Sequence, residues 1–153
     1  MESKVVKIEA MRFAGYLLQT KMDEVMKDNP LPRFWGALSA DGRFEKLMQL
    51  ESDCPASYGA TLMHNEQDMD YTVSRALPAG ADAPEGLHVV DMPAGEYIEV
   101  KTTLENLHAA FGFINNWMEE NGYTWAHGGS FEMYPEDYMQ TKILNLYAPI
   151  AKK

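Results

Sequence analysis

The segment Ser130-Phe131-Glu132-Met133-Tyr134 sets one carboxylate among aromatic and apolar neighbours. In a strand, Phe131 and Met133 share one face, and Ser130, Glu132 and Tyr134 share the other. Periodicity alone reads Glu132 as a solvated residue on an outward face. The alternative is a carboxylate buried in an aromatic cleft, which costs free energy unless hydrogen bonds or a cation compensate. Such a group could hold a cationic ligand. It could also act as general base on a water while a Tyr hydroxyl polarises an electrophile. A similar choice arises further on, where Asn145 and Tyr147 alternate with Leu144, Leu146 and Ala148. Tyr147 is either a half-buried surface residue or a ring and hydroxyl presented to a ligand.

Other chemistry is thin. His64, His88, His108 and His127 show no metal-ligand spacing and no HExxH pattern. No Walker, GxGxxG or GxSxG motif is present. Cys54 is the single cysteine, so an intramolecular disulfide and a multi-cysteine metal site are excluded, and no base lies near it in sequence to activate it. We expect neither a metal nor a cofactor. The 11 Met residues supply adaptable apolar surface, suited to filling an irregular core or to accepting varied ligands.

The chain has 153 residues, with 13 Lys and Arg against 23 Asp and Glu, a net charge of −10. A duplex-binding protein needs a basic face to displace counterions, so nucleic acid is not an expected partner of this chain by itself. The N-terminal MESKVVKIEAMRF lacks the apolar core of a signal peptide, and no apolar run reaches membrane-spanning length. A cytoplasmic protein with no membrane association is expected.

The elements that must position Glu132 follow from periodicity. Alternation predicts strands over 4–9 and 12–19, with Tyr16 and Leu18 on one face of the second. Helical spacing joins Met22, Val25 and Met26 until Pro30 and Pro32 break it. A second helical piece carries Phe34, Trp35 and Leu38, and a third, beyond Gly42, carries Phe44, Leu47 and Met48. Residues 57–64 and 69–77 predict a hairpin turning at 65–68. The Pro/Gly/Ala-rich stretch 78–86 reads as an internal linker. Strands at 87–92 and 96–102 follow. Thr102 and Glu105 have capping-box spacing ahead of a helix carrying Leu104, Leu107, Phe111, Ile114 and Trp117 or Met118, ending near Gly122. Residues 130–134 and 143–150 complete the strands. The order of elements in 4–77 repeats in 87–150, within one domain covering 1–153. Two such halves could leave a cleft between their helices.

Over nearly its whole length the chain resembles the GyrI-like family of small-molecule-binding domains, also known as AraC effector-binding domains. The resemblance rests on pieces in family order: Phe13-Ala14-Gly15, Phe34-Trp35-Gly36-Ala37-Leu38, Tyr58-Gly59, Asp70-Tyr71, Met92-Pro93-Ala94-Gly95-Glu96-Tyr97, the helix from Phe113 to Gly122, Phe131-Glu132-Met133-Tyr134 and Leu146-Tyr147-Ala148-Pro149-Ile150. It implies an α+β fold of duplicated strand-helix-strand-strand halves, an antiparallel sheet with helices flanking a central cleft. It also implies a pocket for hydrophobic or amphipathic, planar and often cationic compounds, as in multidrug-sensing regulators of the BmrR type. There Glu132 would lie on the pocket floor near Tyr147, with Tyr134 on its face. Trp35, Trp117, Phe111, Tyr71, Tyr16 and Leu18 would form the walls. Sensing regulators carry a helix-turn-helix region that this chain lacks, so it resembles free-standing members. Some of those sequester toxic compounds. Others hydrolyse cyclopropane-bearing alkylating compounds, which would make Glu132 and Tyr147 catalytic, and another branch inhibits DNA gyrase.

Overall fold

The computed structural model describes residues 1–153. The chain order is β1 (Ser3–Ile8), β2 (Met11–Lys21), α1 (Met22–Lys27), α2 (Leu31–Ala40), α3 (Arg43–Leu47), β3 (Ser57–Met63), β4 (Asp68–Ala76), β5 (His88–Met92), β6 (Gly95–Thr102), α4 (Leu107–Asn121), β7 (Tyr123–Trp125), β8 (Gly129–Tyr134), α5 (Tyr138–Thr141) and β9 (Leu144–Lys152). This is an α+β protein built on one large antiparallel sheet. Its strand order is β1-β6-β9-β8-β3-β4-β2-β5, and the short β7 pairs with the end of β9. The order is unchanged when β1 to β4 are exchanged for β5, β6, β8 and β9. The lead-in strands cross over: β1 pairs with β6, and β5 pairs with β2.

The β3–β4 turn shows why the hairpin was legible. The Asn65 carboxamide oxygen accepts hydrogen bonds from the backbone N–H groups of Gln67 and Asp68, each 2.8 Å. This is the local closure that Asn supplies at turns.

Both faces of the sheet carry buried clusters. On one face Phe13, Tyr58, Tyr97, Phe131 and Tyr147 form an aromatic layer, with Phe131 stacked on Tyr147 at 4.7 Å and Phe13 tilted on Tyr58 at 4.8 Å. Such pairs contribute about 0.5–1.5 kcal/mol each beyond area burial. The other face carries two separate helix-covered cores. One packs Ala110, Ile114 and Met118 of α4 onto Ile98, Val100, Leu146 and Ala148. The second packs Leu38 and Leu47 of α2 and α3 onto Met69, Tyr71 and Val73. Between them β8 and β3 lie side by side, with no helix stacked in either core above them.

Two local expectations are corrected. Thr102 is the buried last residue of β6 and forms no capping box with Glu105. The chain turns through 103–106 first, where Thr103 Oγ1 accepts from the Asn106 N–H at 3.3 Å, and α4 starts at Leu107. Leu104 is consequently outside the helix and exposed. Of the pair Trp117 and Met118, the residue facing the sheet is Met118, one helical turn after Ile114. Strand β7 and helix α5, of three and four residues, were not expected from the sequence.

Gly122 ends α4 with φ 75°, in the left-handed region, and its N–H donates to the Met118 carbonyl. Its own carbonyl accepts from the Lys153 N–H at 3.0 Å, tying the chain's end to the helix. Gly122→Ala should cost about 1–2 kcal/mol, the strain of a Cβ in that conformation. Chemical denaturation of both proteins checks this, and an unchanged midpoint would show that α4 ends by another means.

Candidate functional site

Glu132 stands near the middle of β8, directly opposite Gly59 of β3. It is 5% exposed. Its Oε1 accepts two hydrogen bonds, from the Tyr134 hydroxyl at 2.9 Å and the Tyr71 hydroxyl at 3.3 Å. The indole N–H of Trp35 donates to the same Tyr71 oxygen at 2.9 Å. Tyr134 comes from the same strand face two residues on. Tyr71 lies two strands away on β4 and must cross β3 to arrive. Gly59 leaves the space: a Cβ there would overlap the Tyr71 hydroxyl. The Gly59 position thus links the sequence directly to the Glu132 environment.

Burial disfavours the charged carboxylate and pushes Glu132 up to about 7, against partial relief from the Tyr134 and Tyr71 hydrogen bonds. Tyr71 and Tyr134 are driven well above the ordinary phenol range, first by burial and then by the Glu132 charge, so both remain donors. Neither hydroxyl bonds to Oε2, which is left for a further partner.

The carboxylate forms part of a trough of about 1470 Å³. Its floor is β3, β4 and β8. One wall is α1 to α3, including Trp35 and Phe44, whose rings lie 5.8 Å apart. The opposite wall is α4, which turns His108, Phe111, Gly112 and Asn115 inward at helical spacing. The Tyr134 ring meets Trp35 edge-on at 5.0 Å and Tyr138 of α5 at 5.1 Å. At the lip Met26 and Met139 are 61% and 70% exposed.

Of the residues expected at a pocket, Glu132, Tyr134, Tyr71, Trp35 and Phe111 line this trough together. Tyr147 does not join them. The register pairs Leu146 with Glu132 and Tyr147 with Phe131, so Tyr147 points to the opposite face of the sheet. There its hydroxyl donates to Glu99 at 2.6 Å, beside a separate cavity of about 250 Å³ with Tyr58, Phe131 and Met133 in its lining. Trp117 is also elsewhere, stacked on Tyr123 at 5.2 Å, because its helical phase points it to the side of α4. Tyr16 and Leu18 share the trough's sheet face but lie on β2, beyond β4, and do not line the trough. Tyr16 packs into the core under α2 and α3, with the Arg43 guanidinium 5.4 Å above its ring. Tyr138, Phe44, His127 and six Met residues line the trough without having been singled out. The Met abundance was the one compositional sign of them.

Residues 1–151 match the GyrI-like small molecule binding domain. The chain belongs to the GyrI-like family. Solved structures share the fold at low identity. SAV2435 bound to tetraphenylphosphonium aligns with a TM-score of 0.80 at 14% identity, over 99% of this chain and 94% of that one. The EcmrR C-terminal domain aligns at 0.61 and 15%, over 99% and 98%. A hydrolase from Listeria innocua aligns at 0.56 and 11%, over 98% and 92%. Among curated proteins none matches the chain. In this GyrI-like domain no helix is long and apolar enough to cross a membrane.

The Glu132 environment has a thermodynamic consequence. A carboxyl raised from 4.5 to about 7 holds its proton longer folded than unfolded. Its contribution to stability is therefore fully present below pH 4.5 and is lost as pH rises through 7, by about 3 kcal/mol in all. Glu132→Gln keeps the shape and removes the titration. Thermal unfolding at pH 5 and pH 8 should show the variant gaining on wild type at the higher pH. Parallel pH profiles would contradict the placement of Glu132 away from water.

Proposed function

We propose that this chain binds hydrophobic or amphipathic small molecules in the trough, favouring planar and cationic ones, with Glu132 as the charge-selecting group. The carrying observation is the buried carboxylate with one oxygen satisfied and one directed to no protein donor, on the floor of an aromatic trough. Aromatic rings attract cations through their faces, and a carboxylate out of water attracts them strongly. Family membership supports a small-molecule ligand, and the tetraphenylphosphonium bound by SAV2435 supports a lipophilic cation. Nucleic acid is not the proposed partner, given the net charge of −10.

A second reading is hydrolysis of an alkylating xenobiotic. A carboxyl near 7 is well placed to act as a general base at neutral pH, and one similar structure is a hydrolase. Incubation with a ligand followed by mass analysis separates the two readings: a binder returns the ligand intact.

Calorimetric titration with tetraphenylphosphonium and with neutral tetraphenylmethane derivatives of similar size tests the role of Glu132. Glu132→Gln should weaken the cation by about 1–3 kcal/mol, the usual worth of a charged interaction lost from a desolvated site. The neutral compound should change much less. Equal losses would make Glu132 a support for the trough, without a part in selecting charge.

A further inference from the structure

The trough carries charge of one sign only. Besides Glu132 it is lined by Glu66, Glu105 and Glu136, and none of the chain's 13 Lys and Arg reaches it. The three outer glutamates are exposed, and none is in an ion pair.

Two of them are ordered along the floor, while Glu105 lies in the turn ahead of α4. Glu66 lies in the turn beyond the end of β3. Glu136 follows the end of β8, and because Tyr134 pairs with Ser57, it lies near the start of β3. Glu132, opposite Gly59, is between them. At 3.3 Å per residue, Gly59 to Met63 spans about 13 Å and Gly59 to Ser57 about 7 Å. Negative charges therefore succeed one another at roughly 10–15 Å along a channel whose intervening surface is Thr61, Met63, Met69 and Phe111. The volume of about 1470 Å³ also exceeds the roughly 300–1,000 Å³ of an ordinary single-ligand pocket.

We infer that the trough is built for elongated ligands with two cationic heads joined by an apolar body, one head at Glu132 and the other at one of the outer carboxylates that flank it along the floor. This deepens the small-molecule reading above and rests on it. A compact cation meets only the floor carboxylate. A two-headed ligand neutralises Glu132 and an outer carboxylate together, and its body covers the methionines, whose unbranched side chains adjust to it.

A matched pair of probes isolates the second head: decamethonium, with a quaternary ammonium at each end of ten methylenes, and decyltrimethylammonium, with one. Calorimetric titration at fixed ionic strength compares them against wild type, Glu132→Gln and the triple variant E66Q/E105Q/E136Q. The outer residues are exposed, so the triple variant should fold, and circular dichroism checks this. Decamethonium should bind wild type about tenfold more tightly than the one-headed probe, or 1.4 kcal/mol. The triple variant should remove most of that advantage, and Glu132→Gln should weaken both probes. Equal wild-type affinities, or equal losses for both probes in the triple variant, would overturn the inference. If tetraphenylphosphonium binds while decamethonium shows no advantage, only the two-headed inference fails. If wild type binds none of these cations, the cation-binding reading beneath it fails as well.

Discussion

A carboxylate withdrawn from water is expensive, and the centre of this protein is arranged around that cost. Glu132 is met on one oxygen by two phenol donors, and one of those donors is itself held by the Trp35 indole. The chain Trp35, Tyr71, Glu132, Tyr134 ties α2, β4 and β8 into one network. A half-satisfied network of this kind would be worse than an apolar core. No protein donor meets Oε2, and Glu132 lines the trough, so the proposed ligand would complete the network there. Gly59 is the small residue on which this depends, since any side chain there would hold Tyr71 away.

The sheet order then makes the network accessible. Helices cover the same face over β6 and β9 on one side and over β4 on the other. Strands β3 and β8 meet in the gap. A cleft between two packed units is a common site for ligands. The rigid floor fixes the carboxylate, while methionines and short helices form much of the wall. That division would suit the proposed selection by charge with tolerance of shape. On the opposite face the Phe13, Tyr58, Phe131 and Tyr147 layer packs the same strands together.

Much of this order was legible in the sequence, and the failures have identifiable causes. Period-two alternation located the principal strands, and helical spacing located α1 to α4. Alternation could not say which face Glu132 occupies, because both faces of β8 are buried: Phe131 and Glu132 are 2% and 5% exposed. Family resemblance put Tyr147 beside Glu132, but the pairing of β8 with β9 sets Tyr147 one residue out of phase. A single-residue difference in register exchanges the two faces of a strand. The wall residues were partly hidden because they come from α1, α2, α3, α4, α5 and several turns, with no common motif. Helix α5 is one turn long, too short for a period to show.

Burial keeps the Glu132 carboxyl protonated at mildly acidic pH, and the proposed cation site requires that proton to leave when a cation binds there. Calorimetric titration of tetraphenylphosphonium in buffers of different ionisation enthalpy measures that proton directly. With the carboxyl pushed up to about 7, binding at pH 6 should release a substantial fraction of a proton per cation, and clearly less at pH 8.5. The release at pH 6 should vanish in Glu132→Gln. Cation binding without proton release at pH 6, or with the same release in the variant, would contradict the account.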